Sequence, residues 1–218
     1  TLMAWQQVEG CEDVPGADAA TDGDLDIAYA LLLAHAQWGS AGAINYLSEA
    51  INLIDAIYDS EINHNNQTIK LGDWVSGSVS PMSYSTRSSD FMPDHFRSFF
   101  DATGDAVWNQ TVDRCYTITD AIQTNYSSAT GLMPDFIRHT NTAPDPAAPN
   151  FLESNFDGDY YYNACRFPWR IATDYLIYGD VRALETLTPL NTWIKTKTGS
   201  TPANIKSGYD LDLGTVLA

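Results

Sequence analysis

One local pattern recurs three times along this chain and sets its architecture: an apolar stretch at helical spacing, a glycine turn, and a second such stretch. The turns are Trp38-Gly39-Ser40, Thr103-Gly104-Asp105 and Gly179-Asp180. A helix from about Asp26 leads into the first, and another starts near Ala43 with Ile44, Leu47, Ile51, Ile54 and Tyr58 on one stripe. The second turn joins 96–102 to Val107, Trp108, Val112, Cys115, Ile118 and Ile122, and the third joins 171–178 to Val181, Leu184, Leu187 and Ile194. Glycine at a helix C-cap reads each as an αα-hairpin. The turn glycines lie 65 and 75 residues apart, and long loops at 59–88 and 124–160 separate the hairpins. Loops of that length inside a helical array are usually functional. Period-two alternation is scarce, so the spacing predicts an all-α chain.

Residues 1–19 read as a connection punctuated by Gly10, Pro15 and Gly16, with Trp5 either plugging the core or stacking on a flat ligand. Then come Asp22, Asp24 and Asp26 on alternate residues, entering the first helix and its apolar face of Ile27, Ala28, Leu31, Leu32 and Ala34. Three readings compete. Thr21 or Asp22 caps the helix while the other acids favour its positive end. A calcium loop of the D-x-D-x-D type fails, because its sixth and twelfth places hold Ile27 and Leu33 instead of Gly and Glu. The third reading is a catalytic or substrate-orienting carboxylate cluster.

Composition narrows the partners. Eleven basic against 28 acidic residues give a formal charge of −17, which excludes nucleic acid and anionic membranes as natural partners and would attract a cationic polymer. A solvated acidic surface without a ligand is the plain alternative. No apolar run reaches membrane-spanning length. Cys11, Cys115 and Cys165 make neither a disulfide framework nor a zinc site, and His35, His64, His95 and His139 share no metal spacing. No cofactor motif appears, so no metal or cofactor is expected. The chain starts at Thr1, and the expectation is a secreted protein from which processing or truncation has removed what came first.

The run Ala20-Thr21-Asp22-Gly23-Asp24-Leu25-Asp26-Ile27-Ala28, continuing through small and aliphatic residues to Trp38, resembles the signature of glycoside hydrolase family 8, A-[ST]-D-[AG]-D-x-x-[IM]-A. Every constrained position is met. The resemblance implies an (α/α)6 toroid of six helical hairpins, of which three are legible here. Residues 1–218 are therefore expected to form a single, partial catalytic domain. Hairpin faces left uncovered in such a part would favour self-association. The implied activity is endo-acting, inverting hydrolysis of a β-1,4-linked polysaccharide, either chitosan or β-glucan and cellulose. A catalytically incomplete carbohydrate-binding fragment is one alternative, and a helical-repeat interaction module is another.

Inverting hydrolysis needs two carboxyl groups across the scissile bond, one acid and one base. The family's acid is a Glu in S-E-G upstream of the signature. No S-E-G occurs here, and Ser48-Glu49-Ala50 lies within a helix on the wrong side, so the donor is expected from outside this chain. Many members draw the base from an Asp in Y-D-A-x-R-x-P-W-R. Tyr162-Asn163-Ala164-Cys165-Arg166-Phe167-Pro168-Trp169-Arg170 matches it with Asn163 at the Asp place, and an amide cannot be a base. That departure resembles the branch of chitosanases and some β-glucanases, which take the base from a Glu in the preceding loop. Glu153, in Phe151-Leu152-Glu153, is the matching position, with Asp157 and Asp159 as rivals.

The same resemblance gives Asp22 the role of holding the central sugar, and places Asp24 nearby in support, although for Asp24 and Asp26 a first-turn charge explains as much. Trp5, Trp74, Tyr160 and Tyr161 are candidate sugar platforms, while Trp169 reads as core. Asp90 either caps the helix that follows or contacts water or sugar. Arg166 is expected to pair with Glu153 or Asp22. Gly131-Leu132-Met133-Pro134-Asp135 also follows the family pattern, with residues that form ordinary turns as well.

Overall fold

The computed structural model describes residues 2–77 and 79–217. Among these residues, six α-helices form three consecutive antiparallel hairpins: α1 (Thr21–Trp38) with α2 (Tyr46–Glu61), α3 (Pro93–Thr103) with α4 (Val107–Tyr126), and α5 (Phe167–Tyr178) with α6 (Val181–Thr198). Two of the glycine turns are built as expected. Gly104 and Gly179 adopt left-handed conformations (φ 74° and 71°) and donate their N–H groups to the carbonyls of Phe100 and Tyr175. Gly39 differs, pairing φ 74° with ψ −177°, so the chain leaves α1 extended and reaches α2 only at Asn45, whose side chain caps it through Ser48 N. Ile44 therefore precedes the helix and is exposed, and α2 buries Ala50, Leu53, Ile54 and Ile57 instead.

Helix α1 begins at Thr21, five residues before the expected start, because Ala20 is still extended and no side chain caps it. Thr21 instead donates to Lys70 O, 2.9 Å away, which ties the helix start to the segment that follows α2. Leu25 and Ala28 are fully buried, whereas Ile27, Leu33 and Trp38 face outward. On α5 and α6, Leu176 (79% exposed), Ile177, Val181 and Leu184 do the same. Helices apolar on more than one side normally lie inside larger helical assemblies.

The core is aromatic where α3 meets α4. Trp108 stacks on Phe96 at 6.0 Å between ring centres and receives the edge of Phe99 at 5.2 Å. Charged pairs fasten the hairpins to one another. Arg170 on α5 grips Asp26 on α1 with two bonds of 2.6 Å, and His95 on α3 reaches the same carboxylate at 3.0 Å. Asp26 is thus an interhelical link and not merely a first-turn charge. Burial works against its ionisation, but Arg170 and His95 outweigh that and hold its pKa well below the usual range.

The loops carry short antiparallel strands that periodicity could not reveal: β1 (Gln7–Val8) with β2 (Glu12–Asp13), β3 (Ile62–Asn63) with β4 (Thr68–Ile69), and a three-stranded patch β5 (Thr86–Arg87), β6 (Phe136–Arg138), β7 (Asp145–Pro146). Two or three residues per strand fall below what an alternation pattern can register. Strands β4 and β7 pack against α4, and β4 lies beside β5. No helix among the described residues is long and apolar enough to cross a membrane.

Candidate active site

Loop 71–75 is clamped to the residues before α1. Ala19 N donates to Asp73 Oδ1 at 2.8 Å, and Gly72 packs so closely that a β-carbon there would overlap Ala19 O and the Trp74 indole. Glycine is required by this approach, because it lets Trp74 lie over the site. Ala19, Ala20, Leu71, Trp74, Arg87, Glu153, Asn163 and Trp5 line a cleft of about 370 Å³. A second hollow of about 490 Å³ shares Trp5 and Ala20 and adds Asp22, Gly23 and Ile27. Trp5 (65% exposed) and Trp74 (39%) present open indole surface, as a sugar platform must.

The carboxylates of the cleft sit around a buried cation that inspection of the sequence passed over. Arg87 Nη2 is 3.2 Å from Glu153 Oε1, while Nη1 is 3.8 Å from Asp22 Oδ1 and 3.9 Å from Asp90 Oδ2. Arg166 Nη2 adds a second positive charge 3.5 Å from Asp22 Oδ2, so it pairs with Asp22 and not with Glu153. The only sign of Arg87 in the sequence is its place between Thr86 and Asp90, as one of 11 basic residues. Its contact with Glu153 spans 66 residues, beyond the reach of any local pattern.

Asn163 stands where many members of the resembling family place an Asp, and its amide orientation is fixed. Its carbonyl oxygen accepts from Arg166 Nη2 at 2.8 Å, which leaves the NH2 group to donate to Glu153 Oε2, also at 2.8 Å. Glu153 thereby brings its carboxylate to the side chain of the substituted position. The rival Asp157 is buried and serves the loop instead. Its Oδ2 accepts from the backbone N–H of Leu152 (2.6 Å) and of Glu153 (3.0 Å), and its Oδ1 from Ser154 N (2.8 Å). Asp159, the other rival, has its pKa raised by burial and by Asp210, and makes no contact with Asp22 or Arg87 among the described residues. Asp135 orders the segment from the other side, accepting from the N–H groups of Tyr161, Asn163 and Ala164. Burial lifts its pKa to about 6 against those bonds.

Several candidate residues take other places. Asp22 does not cap α1; its Oδ1 accepts from Gly23 N at 3.1 Å and also faces Arg87, while its Oδ2 faces Arg166. Asp24 is buried at the floor of the second hollow and accepts from Met3 N at 2.9 Å, fastening the N-terminal segment under α1. Burial raises its pKa to about 6. Asp90 is fully buried within a 3-10 turn, Ser88–Asp90, behind Arg87; it neither caps α3, which starts at Pro93, nor reaches the cleft. Burial lifts it to about 7 in spite of Arg87. Tyr160 is core, paired through its backbone with Tyr209. Tyr161 is half-buried between Phe156 and Tyr162, away from the cleft lining. Trp169, expected in the core, is 51% exposed and lies under the Arg170 guanidinium at 3.9 Å. Cys11, Cys115 and Cys165 are all free, and no group of three or more potential ligands could hold a metal among the described residues.

Paired helical hairpins that carry a carboxylate-ringed, aromatic-walled cleft at the start of α1 define a carbohydrate-active class, and comparison with known proteins settles which. The family model for glycosyl hydrolases family 8 matches residues 1–213, and the chain belongs to that family. Among curated relatives it is 50% identical over 215 residues to a beta-glucanase of Niallia circulans, covering 99% of this chain and 52% of that protein. It is 45% identical over 213 residues to an endoglucanase of Bacillus sp. (strain KSM-330), covering 97% and 44%. The chain thus spans about half the length of the curated relatives it matches. Its structure superposes on the apo beta-1,3-1,4-glucanase from Paenibacillus sp. X4 with a TM-score of 0.94 at 48% identity, over 100% of this chain and 57% of that one. The three hairpins accordingly make up roughly half of the family's (α/α)6 barrel.

Proposed function

We propose that this chain supplies the base side of an endo-acting, inverting β-glucan hydrolase. The observation that carries the reading is the 2.8 Å bond from Asn163 Nδ2 to Glu153 Oε2. A carboxylate delivered from the loop beside the family's usual base position can take the proton of a water attacking the anomeric carbon. Asp22, held by two arginines at the helix rim, orients the sugar whose ring distorts toward the oxocarbenium-like transition state. Trp5 and Trp74 cover the flat C–H faces of neighbouring sugars. The acid comes from outside these 218 residues, since they hold no S-E-G. Inversion requires it roughly 6.5–9.5 Å from Glu153, leaving room for the water.

The names of the relatives favour β-glucan, with mixed 1,3-1,4 linkage first. Chitosan is the second reading, favoured by the charge of −17. The test is reducing-end release from β-1,3-1,4-glucan, carboxymethyl cellulose and chitosan by a catalytic domain extended to include the acid. Glu153→Gln is expected to lower kcat by about 10³-fold or more, with the folded state intact. Full activity in that variant sinks the base assignment, and faster turnover of chitosan than of glucan reverses the substrate order.

A further inference from the structure

Arg87 is placed with unusual care for a side chain that faces a cleft. Its strand β5 pairs with β6, Arg87 opposite Phe136, and its guanidinium lies over the fully buried Phe136 ring at 5.3 Å. Asp90 backs it from within the core, and Asp90 is itself bonded to Ser89 Oγ at 2.9 Å. Only 10% of the Arg87 side chain is exposed. Desolvating a guanidinium is costly unless carboxylates answer it, and three surround this one. Two of them belong to the proposed chemistry, and each faces a different terminal nitrogen.

We infer that Arg87 is a positioning residue whose two terminal nitrogens hold Asp22 and Glu153 at one fixed separation, so that the sugar and the attacking water are presented together. The inference rests on the assignment of Glu153 as base. The two carboxylates depend on it unequally. Asp22 keeps Arg166 at 3.5 Å when Arg87 is lost, whereas Glu153 has no second cation among the described residues and keeps only the neutral Asn163 amide. Removing Arg87 should therefore act on turnover far more than on substrate affinity. Lysine cannot replace it fully, because a single ammonium does not reproduce a planar fork that spans two acids.

The experiment measures kcat and KM on β-1,3-1,4-glucan for the extended catalytic domain and its Glu153→Gln, Arg87→Met, Arg87→Lys and Arg87→Ala variants. Arg87→Met is expected to lower kcat about 100-fold while KM changes less than about threefold, as misplacement of a reacting group does. Arg87→Lys should recover about tenfold of that loss, and millimolar methylguanidinium should restore Arg87→Ala about tenfold. A kcat loss that neither lysine nor methylguanidinium restores marks a purely structural role and overturns the inference. So does an Arg87→Met enzyme with unchanged kcat when Glu153→Gln is inactive, an outcome that leaves the base assignment standing. An active Glu153→Gln overturns the base assignment, and the inference with it. Should Arg87→Met fail to fold, Arg87→Lys decides: about a tenfold fall in kcat with an unchanged circular dichroism spectrum supports the fork, and an unaltered kcat overturns it.

Discussion

Replacing Asp157 tests whether the loop that presents Glu153 is rigid or merely nearby. The buried carboxylate collects the N–H groups of Leu152, Glu153 and Ser154 and the Ser154 hydroxyl. Hydrogen bonds to a charged acceptor contribute about 1.5–3 kcal/mol each, so three at the lower figure sum to about 4.5 kcal/mol. Leu152 and Glu153 are exposed, and water recovers part of what their N–H groups lose. The net cost of Asp157→Ala is about 2–3 kcal/mol, or a fall of roughly 4–12 °C in Tm for a chain of this size. Asp157→Asn should cost nearly as much, because donors approach both oxygens and an NH2 group in either place meets an N–H. Urea unfolding of the two variants beside the parent gives the first number. Activity of the extended catalytic domain gives the second: with Glu153 as the proposed base, a slack loop no longer holds it against Asn163, and kcat should drop about 10–100-fold. Variants that unfold within about 0.5 kcal/mol of the parent, and hydrolyse glucan as fast, would refute the reasoning.

Two further outcomes follow from the same geometry. Glu61 is fully buried, pushed up to about 9 by burial and then by Asp24, with Thr21 against it donating its own proton to Lys70 O. Its folded pKa is raised, so its contribution is complete below the unfolded value near 4.5 and is lost as pH climbs toward 9. Between about pH 5 and 8 stability should decline by about 1.4 kcal/mol per pH unit from this group alone, and denaturation curves of Glu61→Gln should lack that slope. Gly72→Ala should cost about 1–3 kcal/mol by overpacking against Ala19 O and swing Trp74 off the cleft. In the extended catalytic domain its KM for glucan should then match that of Trp74→Ala, about fivefold above the parent for the loss of about 1 kcal/mol of stacking; a wild-type KM in Gly72→Ala would show that the indole does not move.

What the sequence made legible was local. Helical spacing and turn glycines marked the three hairpins, and the run from Ala20 to Trp38 located the rim. Asn163 at the Asp place pointed to the loop holding Glu153, and their contact spans only ten residues. What stayed hidden was decided by partners far along the chain. Asp90 reads equally as cap or ligand until β5 and β6 enclose it. Trp169 and Tyr160 have similar surroundings in sequence and opposite exposures in space, because Tyr160 pairs with Tyr209 while Trp169 looks outward from α5. Ile27 reads as core because apolar residues ring α1, and periodicity cannot say which side of such a helix meets its neighbours.

The amide of Asn163 has a consequence for how such sites change over time. Its NH2 group sits 2.8 Å from Glu153 Oε2, so an aspartate in its place would bring two like charges together. On the proposed assignment of Glu153, an acid at position 163 and the loop base are therefore alternatives, and a chain carrying both would have to disorder the loop or neutralise one acid. Asn163→Asp in this chain should therefore set a second negative charge against Glu153, which the neutral amide now spares it.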